Sequence, residues 1–248
     1  MKINKFKKVG KNKYKIFFDN TDITLHEDVI LKYDLLSNDI DIDKLDQIIE
    51  ENRYYDVYEC ALNYIEIKMR NKKELIKYLA GKGYDETLIN KVIEKLEELG
   101  LLNNKSYITA YINDKVNLSN DGPYKIKNSL LDLEFDENDI DNYLNTIESE
   151  IWKEKLSKII NKKKNIMKSK SYYMFITKMK NDLYNLGYDK EMIESELSKI
   201  TYESNAIDKD FEKSFKKFNG DKTKITNSLL RKGYSYEEIN SKFRENYK

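Results

Sequence analysis

Residues able to do covalent chemistry are scarce in this chain, and charge is abundant. His26 is the single histidine and Cys60 the single cysteine. A triad built on imidazole has one possible base, in the N-terminal stretch and distant in sequence from Cys60. The expected role of His26 is a satisfied surface or capping histidine. Cys60 falls among apolar residues at helical spacing, the pattern of buried filler. A lone cysteine makes no internal disulfide, which fits a reducing compartment. Zinc spacing is absent because the ligands are absent, and no glycine-rich loop runs into Lys-Ser or Lys-Thr to cradle a phosphate. Gly81-Lys82-Gly83 reads as a helix ending. Asp39, Asp41, Asp43 and Glu50 occupy positions 1, 3, 5 and 12 of a calcium-loop pattern, but Lys44 stands where its sharp turn needs glycine. Asp43 is instead a good N-cap for a following helix. The expectation is no catalytic residue, no cofactor and no metal, hence not an enzyme.

The remaining chemistry is recognition through charge. Lys68, Arg70, Lys72 and Lys73 crowd the junction of two expected helices, and Lys125 and Lys127 follow Gly122-Pro123, where the equivalent helix of the next copy begins. These six are the candidate partner contacts, although helix-end lysines are often only solvated. Formal net charge is +1, from 45 basic and 44 acidic residues. A protein that binds nucleic acid mainly through phosphates shows a larger basic excess, so any DNA contact must come from local segregation. Such segregation exists. Residues 131–150 hold eight acids and no Lys or Arg, whereas Lys153, Lys155, Lys158, Lys162, Lys163, Lys164, Lys168 and Lys170 follow with Glu154 alone against them. A sign-split surface of this kind can orient a protein on a partner that carries both charges.

The elements that must position these charges repeat. In Arg70–Asn103, Leu75 and Leu79 lie one helical turn apart, and Gly83 can take the left-handed conformation that ends a helix. Asp85 can cap the next helix, which carries Leu88, Ile89, Val92, Ile93, Leu96 and Leu99 as a one-sided apolar stripe. With Gly83 as origin, the equivalent positions are Glu134, Gly187 and Gly233. Four before them stand Leu79, Leu130, Leu183 and Leu229; one after, Tyr84, Phe135, Tyr188 and Tyr234. Two after stand Asp85, Asp136, Asp189 and Ser235; six after, Ile89, Ile140, Ile193 and Ile239; ten after, Ile93, Leu144, Leu197 and Phe243. A fixed period of this size means a helical array in which each unit covers its neighbour's apolar face.

An additional helix precedes each pair, over about Val57–Arg70, Lys105–Val116, Ile151–Ile160 and Ile207–Phe218, so the module is three helices used four times. Before them, Lys2–Val9, Tyr14–Phe18 and Ile23–Leu25 read as three short strands. These lean on helices over His26–Leu36 and Asp43–Asn52, because so small a sheet is not stable alone. The expected divisions are 1–53 for this β element and 54–103, 104–149, 150–203 and 204–248 for the repeats. The expected fold is mainly α, an elongated curved array of tandem three-helix repeats. Apolar content of 40% and charged content of 36% suit thin helical modules. No apolar run approaches the length that spans a bilayer and the N-terminus lacks a signal-peptide pattern, which places the expectation in the cytoplasm.

Ala61, Tyr64-Ile65, Lys68, Arg70, Glu74-Leu75, Leu79 and Lys82-Gly83 resemble the opening signature of the RecX family of recombinase regulators. Leu99-Gly100-Leu101-Leu102-Asn103-Asn104 is similar to that family's joint into its second repeat, and Gly122-Pro123-Tyr124-Lys125-Ile126 with Leu130 to its second motif. The likeness runs from about residue 3 to the end and is densest over 57–147. Three positions depart from it: Asn71 for a usual serine, Asn104 for a usual aspartate, and Glu134 in the glycine place. A left-handed Glu134 would cost about 1–2 kcal/mol, so that helix is expected to end differently. The resemblance implies a regulator that binds the RecA filament on single-stranded DNA, along its helical groove. It would inhibit or modulate RecA ATPase, strand exchange and coprotease activity in recombination, DNA repair and the SOS response. It also implies basic contacts at Lys68 and Arg70. A monomer is expected, with weak direct DNA contact and no membrane partner. The alternative is a direct DNA-binding helical scaffold that acts without RecA.

Overall fold

The computed structural model describes residues 1–37, 39–202, 204 and 206–246, the last by its backbone only. Thirteen α-helices and one three-stranded antiparallel sheet occur among the described residues, in two compact units, Met1–Tyr107 and Ile108–Lys248. No described helix is long and apolar enough to cross a membrane.

The first unit begins with β1 (Lys5–Lys8), β2 (Lys13–Phe17) and β3 (Asp22–His26), in the order β1-β2-β3. Phe6 pairs with Ile16 and Ile16 with Ile23. Alternation therefore puts these side chains on one face, where Ile16 and Leu25 pack against Val29 and Ile30 of α1 (Glu27–Lys32) and Ile48 of α2 (Leu45–Ile67). Helix α1 is shorter than the sequence suggests. It ends because Asp34 turns left-handed (φ 49°), which lets the Leu35 N–H reach the Ile30 carbonyl at 2.9 Å. Two expected helices, over 43–52 and 57–70, are one helix instead, because nothing between them breaks a helix. Helix α2 serves two cores in turn, with Ile48 in the first and Val57 and Ala61 in the second. The second core is completed by Leu75 and Leu79 of α3 (Lys72–Gly81) and by Ile89, Val92, Ile93 and Leu96 of α4 (Glu86–Glu98).

Helix α5 (Asn104–Leu118) leads into the second unit, followed by α6 (Pro123–Leu131) and α7 (Glu137–Leu144). The triplet α8 (Ser149–Ile166), α9 (Tyr172–Asn185) and α10 (Lys190–Ser198) comes next, then α11 (Ala206–Lys217), α12 (Lys222–Arg231) and α13 (Tyr236–Asn246). The aligned positions are equivalent in three dimensions. Leu79, Leu130, Leu183 and Leu229 are all fully buried. Each accepts, through its carbonyl, the N–H of the aromatic residue beyond the turn: Tyr84, Phe135, Tyr188 and Tyr234, at 3.3–3.4 Å. The left-handed residue between donates to the carbonyl one position after the leucine, which completes a Schellman motif. Truncation of any of these leucines to alanine would cost about 2–5 kcal/mol. Asp85, Asp136, Asp189 and Ser235 each cap the helix that follows.

Glu134 overturns the expectation made for it. It holds φ 67°, the same conformation as Gly83 (85°), Gly187 (86°) and Gly233 (82°). The Glu134 N–H bonds the Leu131 carbonyl at 2.8 Å, and Phe135, buried beside Leu130, closes the turn. Burial of that phenyl ring, worth about 2 kcal/mol, offsets the backbone strain. The other two departures from the family pattern are chemically mild. Asn71 forms a full capping box with Glu74, as a serine would. Asn103, not Asn104, caps α5 by accepting the Ser106 N–H at 2.9 Å.

Candidate functional site

The basic corner of the first repeat is built where α2 stops. Lys68 is extended (φ −160°, ψ 144°), so the chain leaves the helix at Ile67, three residues earlier than the pattern suggests, and re-enters one at the Asn71 cap. Lys68 and Met69 stand exposed on this link with Ile67 beside them. Lys68 makes no ion pair among the described residues. Arg70 folds back over the ring of Tyr64, its guanidinium carbon 4.2 Å from the centroid, and Tyr64 stacks on Tyr78 at 3.8 Å. The Lys82 ammonium lies 5.5 Å from the Tyr78 ring. Two cations thus terminate a pair of stacked tyrosines, each attracted by a ring face. Arg70 Nη1 is 4.0 Å from Glu74 Oε1, and its Nε is buried without a hydrogen-bond partner. Lys72 reaches Glu97 of α4 at 3.1 Å, and Lys73 is exposed. The four residues share one corner but present different chemistry: Lys68 is exposed without an ion pair among the described residues, whereas Arg70 and Lys72 tie helices together.

Lys125 and Lys127 do not converge. On α6 they lie two residues apart and so point in different directions. Lys125 pairs with Asp121 at 2.7 Å, and Asp121 also holds Lys115 at 3.0 Å. Burial of Asp121 opposes its ionisation, but the two ammonium groups outweigh that and hold its carboxyl below the usual range. Lys127 bridges Glu137 and Asp141 of α7, both at 2.7 Å, and these partners raise its pKa. The acid-rich segment is thus partly spent on caps and on Lys127.

The basic run is partly structural as well. Lys155 donates to the carbonyls of Lys115 and Val116 at the end of α5, 3.2 and 2.8 Å away, where a cation complements the helix dipole; burial lowers its pKa. Lys163 pairs with Asp182. Lys162, Lys164, Lys168 and Lys170 make no ion pair among the described residues.

Other singled-out residues find structural duties. His26 is buried, not at the surface. It caps α1 by accepting the Asp28 N–H at Nδ1 (3.4 Å), and its ring stacks on Tyr55 at 5.3 Å. Cys60 is half-buried, 3.8 Å from the Tyr78 hydroxyl. Asp41 caps a 3-10 turn over Ile42–Lys44, and Asp39 accepts the Ile3 N–H at 2.9 Å. No three carboxylate, histidine or cysteine groups among the described residues are placed to hold a metal.

One feature was not legible from sequence. Between the second and third repeats a cleft of about 650 Å³ opens, with Tyr124 and Lys125 on one wall and Tyr184 and Lys190 on the other. Its floor is a close backbone approach. Gly122 N–H donates to the Leu186 carbonyl at 2.6 Å and Tyr124 N–H to the Gly187 carbonyl at 3.0 Å. The two glycines were visible as helix punctuation; that they touch was not.

The profile described as "RecX, first three-helix domain" matches residues 58–96, which span the end of α2 with α3 and α4. The Regulatory protein RecX of Streptococcus agalactiae serotype Ia is 30% identical over 260 residues, covering 99% of both chains. This chain belongs to the RecX family. Among solved structures, a regulatory protein RecX superposes with a TM-score of 0.70 at 21% identity, over 80% of this chain and 99% of that one, which shows the shared fold. RecX from Lactobacillus salivarius superposes with a TM-score of 0.56 at 28% identity, over 60% of this chain and 96% of the other.

Proposed function

We propose that this RecX-family chain binds the RecA filament assembled on single-stranded DNA, in the cytoplasm and as a monomer, and restrains RecA ATPase, strand exchange and coprotease activity. The observation that carries this reading is the fourfold use of one module, with the same buried leucine, turn and cap each time, in a chain of this family. Repeated modules of one design suit a partner that is itself periodic. Contacts at the modules 54–103, 104–149, 150–203 and 204–248 would each be weak and would gain affinity through linkage. A filament is then preferred over free RecA. The corner of Lys68, Arg70, Lys72 and Lys73 supplies charge for one contact, with exposed Ile67 and Met69 beside it, and Lys125 and Lys127 contribute to the next.

Reversing Lys68, Arg70, Lys72 and Lys73 to glutamate together should weaken filament binding about tenfold or more, with the helical circular dichroism retained. Lys68→Glu alone is the cleaner companion, because its side chain holds no ion pair that folding needs. Unchanged inhibition by both variants would remove this corner from the interface. A second reading, direct DNA binding without RecA, is favoured by Lys162, Lys164, Lys168 and Lys170, which lack ion-pair partners among the described residues. It requires binding to oligo(dT) that falls steeply with salt.

A further inference from the structure

The N-terminal element is unlike the repeats in shape and charge. Residues 1–18 contain Lys2, Lys5, Lys7, Lys8, Lys11, Lys13 and Lys15 and no acid. Lys13 is engaged by Asp56 and Glu59, and Lys15 by Asp22. Lys2, Lys5, Lys7 and Lys11 are exposed and make no ion pair among the described residues. The sheet order leaves β1 as an edge. The Val9 N–H bonds the Lys13 carbonyl. In antiparallel alternation this turns the backbone of Lys5 and Lys7 toward β2 and that of Phe6 and Lys8 outward. Beside that edge lies a mainly apolar groove of about 260 Å³, walled by Phe6 and Tyr14 of the sheet and by Ile30, Leu31 and Leu36, with Glu27 also in its lining, so that it admits aliphatic side chains and not carboxylates. Leu31 is 63% and Leu36 65% exposed, unusual for leucines so near a core.

We infer that the β1 edge and this groove receive an extended acidic segment of a partner protein, with aliphatic residues at alternate positions. The backbone of such a segment would add to β1. Its aliphatic side chains would enter the groove, and its carboxylates would meet Lys5 and Lys7 on the solvent face. The charge is complementary to an acidic partner and repels a basic one. A nucleic acid would satisfy the lysines but has no aliphatic side chains for Leu31 and Leu36. Edge lysines also keep sheets from pairing with one another, a duty that glutamates would perform equally well, and charge reversal therefore separates the two roles. The inference is independent of the RecA reading.

The test uses the full chain and three labelled probes: a peptide of alternating Glu and Leu, an all-Glu peptide of the same length, and oligo(dT), each followed by fluorescence anisotropy. The Glu-Leu peptide should bind best. Lys5→Glu with Lys7→Glu should weaken it about tenfold, and Leu31→Glu, at an exposed position, should do the same without loss of fold. Equal binding of the all-Glu peptide, oligo(dT) binding that is lost in the same variants, or Glu-Leu binding unchanged in them would each overturn the proposal, as would no binding of the Glu-Leu peptide.

Discussion

The two joints inside the second unit use one device in two materials. In both, the N-cap of a module's middle helix sits against the left-handed turn of the following module. Between the second and third repeats the contact is backbone on backbone, Gly122 and Tyr124 donating to Leu186 and Gly187. Between the third and fourth, a side chain makes it: the Ser171 hydroxyl donates to the Lys232 carbonyl at 2.6 Å. A Cβ on Gly187 would lie 2.4 Å from the Lys125 nitrogen, and one on Gly122 would lie 2.6 Å from the Gly187 oxygen. A Cβ on Gly233 would instead meet side-chain atoms, Tyr173 Cδ1 at 2.7 Å, Tyr173 Cβ at 3.0 Å and Ser171 Oγ at 3.1 Å; the 62% exposed Tyr173 ring can swing away, and the other two contacts need a shift of a few tenths of an ångström. The residue at the N-cap therefore sets how closely modules approach, and hence how much substitution each joint tolerates.

The largest expected effect breaks the tighter joint. Gly187→Ala should destabilise by about 3 kcal/mol, from left-handed strain together with overpacking against a backbone that cannot give. Gly233→Ala should cost only about 1–2 kcal/mol, mostly the strain. Urea unfolding of both variants measures the gap, and equal losses would erase the distinction between the joints. Ser171→Ala comes next, at about 1 kcal/mol, because it removes both the cap of α9 and the bond to Lys232. A loss confined to helix content, with the third and fourth repeats still unfolding together, would mean that the hydroxyl serves its own helix alone. Glu134→Gly is the smallest change and has the opposite sign, a gain of about 1 kcal/mol from relief of strain. A loss there would mean that the Glu134 side chain matters more to the turn than its backbone does.

These turns also mark what the chain announces and what it hides. Gly83, Gly187 and Gly233, each followed by tyrosine and a capping residue, could be read directly, since a local rule places each. Glu134 could not, because there the turn is enforced by Phe135 and Leu130 packing together and not by the residue in it. The continuity of α2 was hidden for a related reason: its apolar positions serve one core and then another, so no single stripe runs its length. Lys125 and Lys127 were legible as charges but not as ion pairs, because their partners depend on how α6 meets α7 and on the loop before it. The contact of Gly122 with Gly187 joins residues from different modules and leaves no local mark. At the basic corner the charges were legible, whereas the stack of Arg70 on Tyr64, and of Tyr64 on Tyr78, required the fold.

The central claim is that the repeated module exists to hold a RecA filament. The direct measurement is ATP hydrolysis by RecA on single-stranded DNA as this chain is added. If one chain contacts several filament subunits, as proposed, the rate falls progressively at chain concentrations below that of RecA. A rate unchanged by a molar excess of the folded chain would contradict it.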